Sequence, residues 1–460
     1  MTNRKPNIIL INCDDLGYGD LGCYGSEVNR TPHIDSLAAQ GLRLTDFYMA
    51  SPVCSPSRGA MLTGCYPPRI GFGSFDGDMV LFPGQGLGLH ENEETIAGVL
   101  RREGYATKII GKWHCGDQPA FFPTRHGFDS WYGLPYSNDM GMQVTGSKVS
   151  ARRANFPPLP LIENETVIQQ QPDLTDLTGQ YTELAVQFLE ENRERPFFLY
   201  LAHMYVHLPL YVQESFLKRS QNGKFGAAVE TVDWSLGVLL DALRRLELEQ
   251  DTLLIFTSDN GARNRPEEGC SNAPLRGGKF STWEGGQRVP CLLRWPGVIE
   301  PGRVDGGLLS SLDFFATLAS LAGGQAQSGR ILDSLDAGGF LFHGKPSPRE
   351  SFAYYKGNEL QAVRRGDFKL HLRKEEEIRL LYNLREDISE TRDISEAHPE
   401  IVQELLALAE SFRVRLGDSA LQITGSEVRP VGQVDNPLPL TAYDPTDPCV
   451  AAMYDCPDFG

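Results

Sequence analysis

The sequence predicts an α/β protein: a large, mostly parallel β-sheet flanked by helices, then a smaller α+β unit with an antiparallel sheet. Three observations carry that prediction. Short continuous apolar runs alternate with helical patterns as far as the run at 252–262. Polar residues cluster just after the ends of those runs, where open α/β sheets place their sites. Near residue 345 the texture changes to short alternating runs separated by turn residues.

The elements follow in order. Residues 7–12 are uniformly apolar apart from their ends and stop at Asp14 and Asp15, which reads as a buried parallel strand meeting a loop. In 31–48, Thr31 is the expected cap of a helix with Ile34, Leu37 and Ala38 on one face; Gly41 stops it and a strand follows. Residues 94–114 repeat the unit, with Gly104 as the stop. In 177–203 a helix runs to Pro196 and a strand occupies 197–202. A helical stretch at 226–250 precedes the apolar run 252–262, which enters an acidic loop. Beyond 345, the runs 351–356, 360–366 and 368–373 suggest a small antiparallel sheet, and a helix is expected at 399–415 before a Pro- and Asp-rich tail. The expected division is a larger unit at 1–345 and a smaller unit at 346–460.

Composition narrows the function. A chain of 460 residues with 41% hydrophobic and 22% charged residues is ordinary for a globular protein. Its 43 basic against 60 acidic residues leave a net charge of −17, which argues against partnership with nucleic acid or anionic membranes. Nine cysteines are too few for a disulfide scaffold, and the odd count leaves at least one thiol unpaired; Cys449 and Cys456 are the close pair. The most apolar stretch, 197–212, is broken by His203, His207 and Pro209, so no membrane span is expected. The N-terminal apolar run is too short for a signal peptide, which places the chain as given in the cytoplasm. A removed signal would place it in the periplasm, outside the cell or in the lysosome.

The segment CSPSRGAMLTG at 54–64 is the most informative. A Cys and a Ser-Arg pair precede a helix expected to begin near Ser57, and a helix N-terminus suits a tetrahedral oxyanion. Taken alone, Cys54 reads as a buried thiol before an ordinary helix. The full pattern, Cys-x-Pro-Ser-Arg followed by Leu62-Thr63-Gly64, resembles the signature of the type I, formylglycine-dependent sulfatases, an arylsulfatase-like family of the alkaline phosphatase superfamily. Further segments match that family in the same order: the Asp14–Asp15 pair, GKWHCG at 111–116, HMYVHLP at 203–209, TSDNGA at 257–262 and LRGGKFSTWEGG at 275–286. In the C-terminal unit, 362–372 and 381–395 extend the likeness.

The resemblance implies an alkaline-phosphatase-like fold and a site built residue by residue. Cys54 is oxidised after translation to formylglycine (3-oxoalanine) by a maturating enzyme, the formylglycine-generating enzyme. Asp14, Asp15, Asp259 and Asn260, together with residue 54, are the implied metal ligands, and an all-oxygen set suits Ca²⁺, with Mg²⁺ as the alternative. Lys112, Lys279 and Arg58 bind the sulfate oxyanions, Ser137 joins the pocket, Asp259 is the base for the first attack, His114 the base for the second step and His207 the general acid. One hydroxyl of the hydrated aldehyde attacks sulfur; the other is then deprotonated and expels sulfate. The implied substrate is a sulfate monoester on a small aryl or carbohydrate group, cleaved from a terminus. Two other readings stay open: a phosphate or phosphonate ester hydrolase on the same fold, and a non-catalytic binder of sulfated ligands with an unconverted Cys54. His203 reads as a pocket-wall or core residue, and Arg69, Arg152, Arg153 and Arg263 as surface charges or contacts to a second anion. The loops at 66–93, 136–176 and 261–276 are expected to wall the pocket.

Overall fold

The computed structural model describes residues 5–142, 155–372, 379–444 and 446. Ten strands form one sheet: β1 (Asn7–Cys13), β2 (Leu42–Leu44), β3 (Ala106–Gly111), β4 (Ser130–Gly133), β5 (Pro160–Glu163), β6 (Thr166–Gln170), β7 (Phe197–Ala202), β8 (Thr252–Ser258), β9 (Cys291–Arg294) and β10 (Arg303–Asp305). Their spatial order is β10-β2-β9-β8-β1-β7-β3-β4-β5-β6. The five strands from β8 to β4 run parallel. Antiparallel pairings lie toward both sides, at β8–β9, β9–β2, β4–β5 and β5–β6.

The apolar run of β1 shows why this sheet must be central. Ile9, Ile11 and Cys13 enter one hydrophobic cluster and Ile8 and Leu10 another. A strand whose alternate residues feed cores on both faces has no polar side, hence its unbroken hydrophobicity. Helices α1 (Pro32–Gln40), α2 (Cys54–Thr63), α3 (Ile96–Arg102), α4 (Leu174–Glu191) and α5 (Gly223–Arg245) flank the strands. Both α4 and α5 begin three residues earlier than their sequence patterns suggest.

One capping expectation is corrected. Thr31 is the N-cap residue of α1, but its side chain makes no capping bond. The Thr31 hydroxyl bonds with Gly22 N–H and Asp35 instead. The cap comes from α5, where Asp233 Oδ1 accepts from His33 N–H (2.9 Å) and Ile34 N–H (2.8 Å).

After residue 345, the strands Ser351–Lys356, Glu359–Arg365, Phe368–Leu372 and Arg379–Asn383 form a separate antiparallel sheet in sequential order. The helix Pro399–Leu416 packs on it through Val402, Leu405, Leu408 and Phe412. The tail then returns to the main sheet's loops: Gly432–Gln433 pairs antiparallel with Leu87–Gly88, and Val434 N–H donates to Gly86 O at 2.9 Å. The seven cysteines among the described residues are free thiols. Cys449, Cys456, Arg152 and Arg153 lie outside the described residues. No helix among those described is long and apolar enough to cross a membrane.

Candidate active site

The parallel register brings the functional segments to one edge. Cys13 pairs with Ser258, and Asn12 and Gly111 both pair with Ala202, so β1, β8, β7 and β3 end together. The residues that follow are Asp14–Asp15, Asp259–Asn260, His203–His207 and Lys112–His114. Main-chain bonds join the exits: Asp14 N–H to Tyr205 O (2.8 Å), Asp259 N–H to Cys13 O (3.0 Å) and Lys112 N–H to Ala202 O (2.8 Å). Gly111 permits the last of these. Its φ is 110°, and a Cβ there would stand 1.8 Å from Ala202 O.

Helix α2 starts at Cys54, three residues before the position expected from sequence, and all ten of its residues are buried. Its first turn points main-chain N–H groups toward the strand ends, a natural anion cradle. Cys54 Sγ lies 3.4 Å from Asp14 Oδ1 and 4.0 Å from Asp15 Oδ1. Burial, then the Asp14 charge, pushes its thiol well up, so the unmodified residue is not a thiolate.

Around Cys54 the charges interlock. Lys112 Nζ donates to Asp14 Oδ2 (2.6 Å) and Ser137 Oγ (3.1 Å), while Lys279 Nζ donates to Asp15 Oδ2 (2.8 Å). Arg58 donates through Nε to Asp259 Oδ2 (2.8 Å) and through Nη1 to Lys112 O (2.9 Å). Burial alone would raise Asp14, but Lys112, His207 and Arg58 hold it well below the usual carboxylate range. Burial and the Asp14 charge instead bring Asp259 up to about 7.

The two histidines are fixed in opposite senses. His114 meets Leu81 O through Nε2 at 3.0 Å; a carbonyl accepts only, so Nε2 carries the proton and Nδ1 a free lone pair. Burial, then Lys112, holds its ionisation well down. His207 donates through Nδ1 to Leu208 O at 2.5 Å, and its Nε2 faces Ser137 Oγ at 3.2 Å and Asp15 Oδ2 at 3.8 Å. Burial, then Lys279, lowers it as well. Asp15, His114 and Phe280 hold positive φ angles of 62°, 59° and 71°, backbone strain gathered at one site.

Three buried polar atoms in this cluster lack a hydrogen-bond partner: Arg58 Nη2, which only approaches Asp14 Oδ1 to 3.8 Å, His114 Nδ1 and Asn260 Oδ1. Their chemistry calls for an anion, a proton and a cation respectively. Asp14, Asp15, Asp259 and Asn260 are all buried, and their oxygen donors are of the kind a hard divalent cation takes. Donor atoms of Asp14, Asp15, Cys54 and His207 all lie within 4.8 Å of one another, the one such His/Cys/Asp/Glu group found among the described residues. Proximity thus adds His207 to the residues that sequence reading had placed with the metal and leaves Asp259, which is bonded to Arg58, outside that group.

A cavity of about 250 Å³ opens over Cys54, His114, Ser137, His207 and Lys279. Met79, Val80, Phe82, Met140 and Phe280 also line it, together with the acidic Asp78 and Asp139. Sequence reading named two of the loops that carry these side chains, but not the side chains, because loop residues acquire a direction only in the fold. His203 is buried and does not line this cavity. Arg69 is neither a surface charge nor a substrate contact: it is fully buried, bonded twice to Asp333 at 2.7 Å and once to Glu427 at 2.8 Å. Arg263 lies close to Glu268, at 3.6 Å.

Comparison with known proteins gives the family. The family model described as Sulfatase matches residues 6–324. Human arylsulfatase A is 42% identical over 385 residues, 80% of this chain and 75% of its own length. Mouse N-acetylgalactosamine-6-sulfatase is 39% identical over 382 residues, 80% of this chain and 72% of its own. The crystal structure of Ps i-CgsB in complex with k-i-k-neocarrahexaose superposes with a TM-score of 0.77 at 30% identity, covering 89% of this chain and 93% of that one. The fold, the clustered strand-end residues and these likenesses converge on one conclusion: the chain belongs to the sulfatase family, hydrolases of sulfate esters.

Proposed function

We propose that the chain cleaves a single terminal sulfate monoester from a small aryl or carbohydrate group, using formylglycine formed from Cys54 by a formylglycine-generating enzyme. The carrying observation is the trio of unpartnered buried atoms around Cys54, on Arg58, His114 and Asn260. Once oxidised, residue 54 supplies a hydrated aldehyde as nucleophile, in place of a thiol that burial keeps protonated. Asp14, Asp15, Asp259 and Asn260 would hold Ca²⁺, which supplies Lewis acidity toward the ester oxygens.

The remaining chemistry belongs to the side chains. Arg58 presents Nη2, and Lys112 and Lys279 their ammonium groups, to the sulfuryl oxygens, where each such donor contributes most as negative charge develops. Ser137 holds Lys112 and His207 in one hydrogen-bonded line. His207 Nε2 delivers a proton to the leaving oxygen; an anionic ester beside it favours the protonated ring that burial otherwise disfavours. His114 Nδ1, left with a free lone pair by the bond from Nε2 to Leu81 O, takes the proton that releases sulfate.

The size and apolar lining of the cavity support a leaving group with one ring. Two of the relatives are named for an aryl ester and for a sulfated amino sugar, which frames both substrate classes. In this reading residues 1–345 form the catalytic unit and 346–460 its support. The test is mass spectrometry of the tryptic peptide bearing Cys54, alongside sulfate release from 4-nitrophenyl sulfate and N-acetylgalactosamine 6-sulfate. Conversion removes about 18 Da as –CH₂SH becomes –CHO. An intact thiol in protein from its native host would sink the proposed nucleophile.

A further inference from the structure

Lys279 sits in the loop 275–286, whose sequence LRGGKFSTWEGG offers little stiffness of its own because Gly277, Gly278, Gly285 and Gly286 leave the backbone free. Two main-chain bonds flank the lysine: Lys279 N–H to Ala262 O at 2.8 Å and Phe280 N–H to Pro52 O at 3.0 Å. Further support comes from Asn272 Nδ2, which donates to Gly277 O at 3.1 Å, from the loop's own bond of Gly285 N–H to Arg276 O at 2.8 Å, and from the C-terminal unit. We propose that Glu390, acting with Lys369, His371 and Arg276, is a positioning device that holds Lys279 in place against the ester. This rests on the role given to Lys279 above.

Glu390 is fully buried, with φ at 51°, and every face of it is engaged. Its Oε2 accepts from Glu284 N–H at 2.7 Å. Its Oε1 lies 2.9 Å from Lys369 Nζ and accepts from His371 Nε2 at 2.8 Å. Its main-chain oxygen accepts from Arg276 Nη1 at 2.8 Å. Lys369 Nζ reaches back to Thr282 O, also at 2.8 Å. Trp283 packs against the His371 ring at 4.2 Å between centroids, and the Arg276 guanidinium lies 3.7 Å from the same indole. Ser389 Oγ completes the grip by donating to Pro274 O at 2.6 Å.

The loop is therefore held at 274–276 and again at 282–284, with Lys279 between the two grips. Displacing a charged donor by about 1 Å in an active site costs up to about 10²-fold in rate. A flexible loop needs such a support from outside, and a second layer of locked side chains is how sites acquire it. Phe280 and Glu390 both persist in left-handed backbone, which surroundings that over-determine them make possible.

The experiment compares Glu390→Gln and Arg276→Met with wild type by amide hydrogen exchange of the 275–286 peptide and by kcat/KM on 4-nitrophenyl sulfate. Arg276 is exposed, so its variant keeps the fold. Arg349→Met, which breaks a buried pair with Asp313 elsewhere, is the control for simple destabilisation. The expected result is faster exchange in 275–286 with unchanged protection in β1. It is accompanied by a loss of kcat/KM on the order of 10–100-fold for Glu390→Gln and a smaller one for Arg276→Met. Adding Lys279→Ala to Glu390→Gln then lowers the rate little beyond Lys279→Ala alone. Unchanged exchange, or losses matched by Arg349→Met in its folded fraction, overturns the proposal. A loosened loop with a silent Lys279→Ala strikes instead at the role of Lys279, and the proposal falls with it.

Discussion

Two buried clusters of charge lie on either side of the lysine loop, and they are built to opposite standards. Under the C-terminal sheet, Glu284 meets Lys369 (2.9 Å), Tyr354 (3.0 Å), Arg288 (3.3 Å) and Tyr48, while Asp46 binds Arg364 and Arg288. None of these side chains has an unpartnered polar atom. The active-site cluster has comparable burial and charge, yet Arg58, His114 and Asn260 each leave one atom unmet. A network that satisfies itself holds elements together; one that stops short is waiting for something else to bind. Ionisation does not divide them in the same way. Glu284 is driven far down despite its burial by Lys369, Arg288 and Arg364, as Asp14 is by Lys112, His207 and Arg58, whereas burial and the Asp14 charge bring Asp259 up to about 7.

Breaking the satisfied network should give the largest effect. Lys369→Met leaves Glu284 and Glu390 short of a cation, and removing one partner from a buried ion cluster costs about 3–5 kcal/mol of stability. Urea denaturation followed by circular dichroism should show that loss as a lower midpoint; an unchanged midpoint would mean the network contributes no net stability. In the unsatisfied cluster the penalty moves to the chemistry. Lys279→Met is expected to lower kcat by on the order of 10²–10³, about 2.7–4 kcal/mol of barrier. Its melting temperature should fall far less than that of Lys369→Met, a pairing that steady-state kinetics and thermal melts on the same preparations can check.

Asp233 sharpens the contrast with the smallest effect. Its carboxylate is satisfied by two backbone N–H groups, but Asp35 and Glu230 add like charge, and burial brings it up to about 7. A carboxylate raised in the folded state keeps its proton longer there than in the unfolded chain. Its contribution is therefore fully present below the unfolded value near 3.8 and is lost as pH rises through about 7. Asp233→Asn keeps an acceptor for the α1 cap and should flatten the decline of stability between about pH 4 and 7, as measured by denaturant midpoints across that range. An identical slope in the variant would refute the assignment.

The fold and the cluster were legible for a shared reason. Each segment proposed for catalysis follows a buried strand, so the local pattern that announces the strand also announces the candidate site. Asp14, Lys112, His207 and Asp259 meet at one sheet edge as that logic requires. What stayed hidden depends on pairs far apart in the chain. The α1 cap comes from Asp233 rather than Thr31, the partner that buries Arg69 is Asp333, and the group that orients His114 is Leu81 O. Lys369 and Glu390 fall in the stretches 362–372 and 381–395 that extend the family likeness, yet nothing local records that they sit beneath the lysine loop.

The strand formed by Gly432–Gln433 carries a consequence for synthesis. Its partner, Leu87–Gly88, is made long before it. At about 5–20 residues per second, the interval between the two partners is on the order of tens of seconds. Until then the Leu87–Gly88 edge has no partner strand, and water must meet its free main-chain groups.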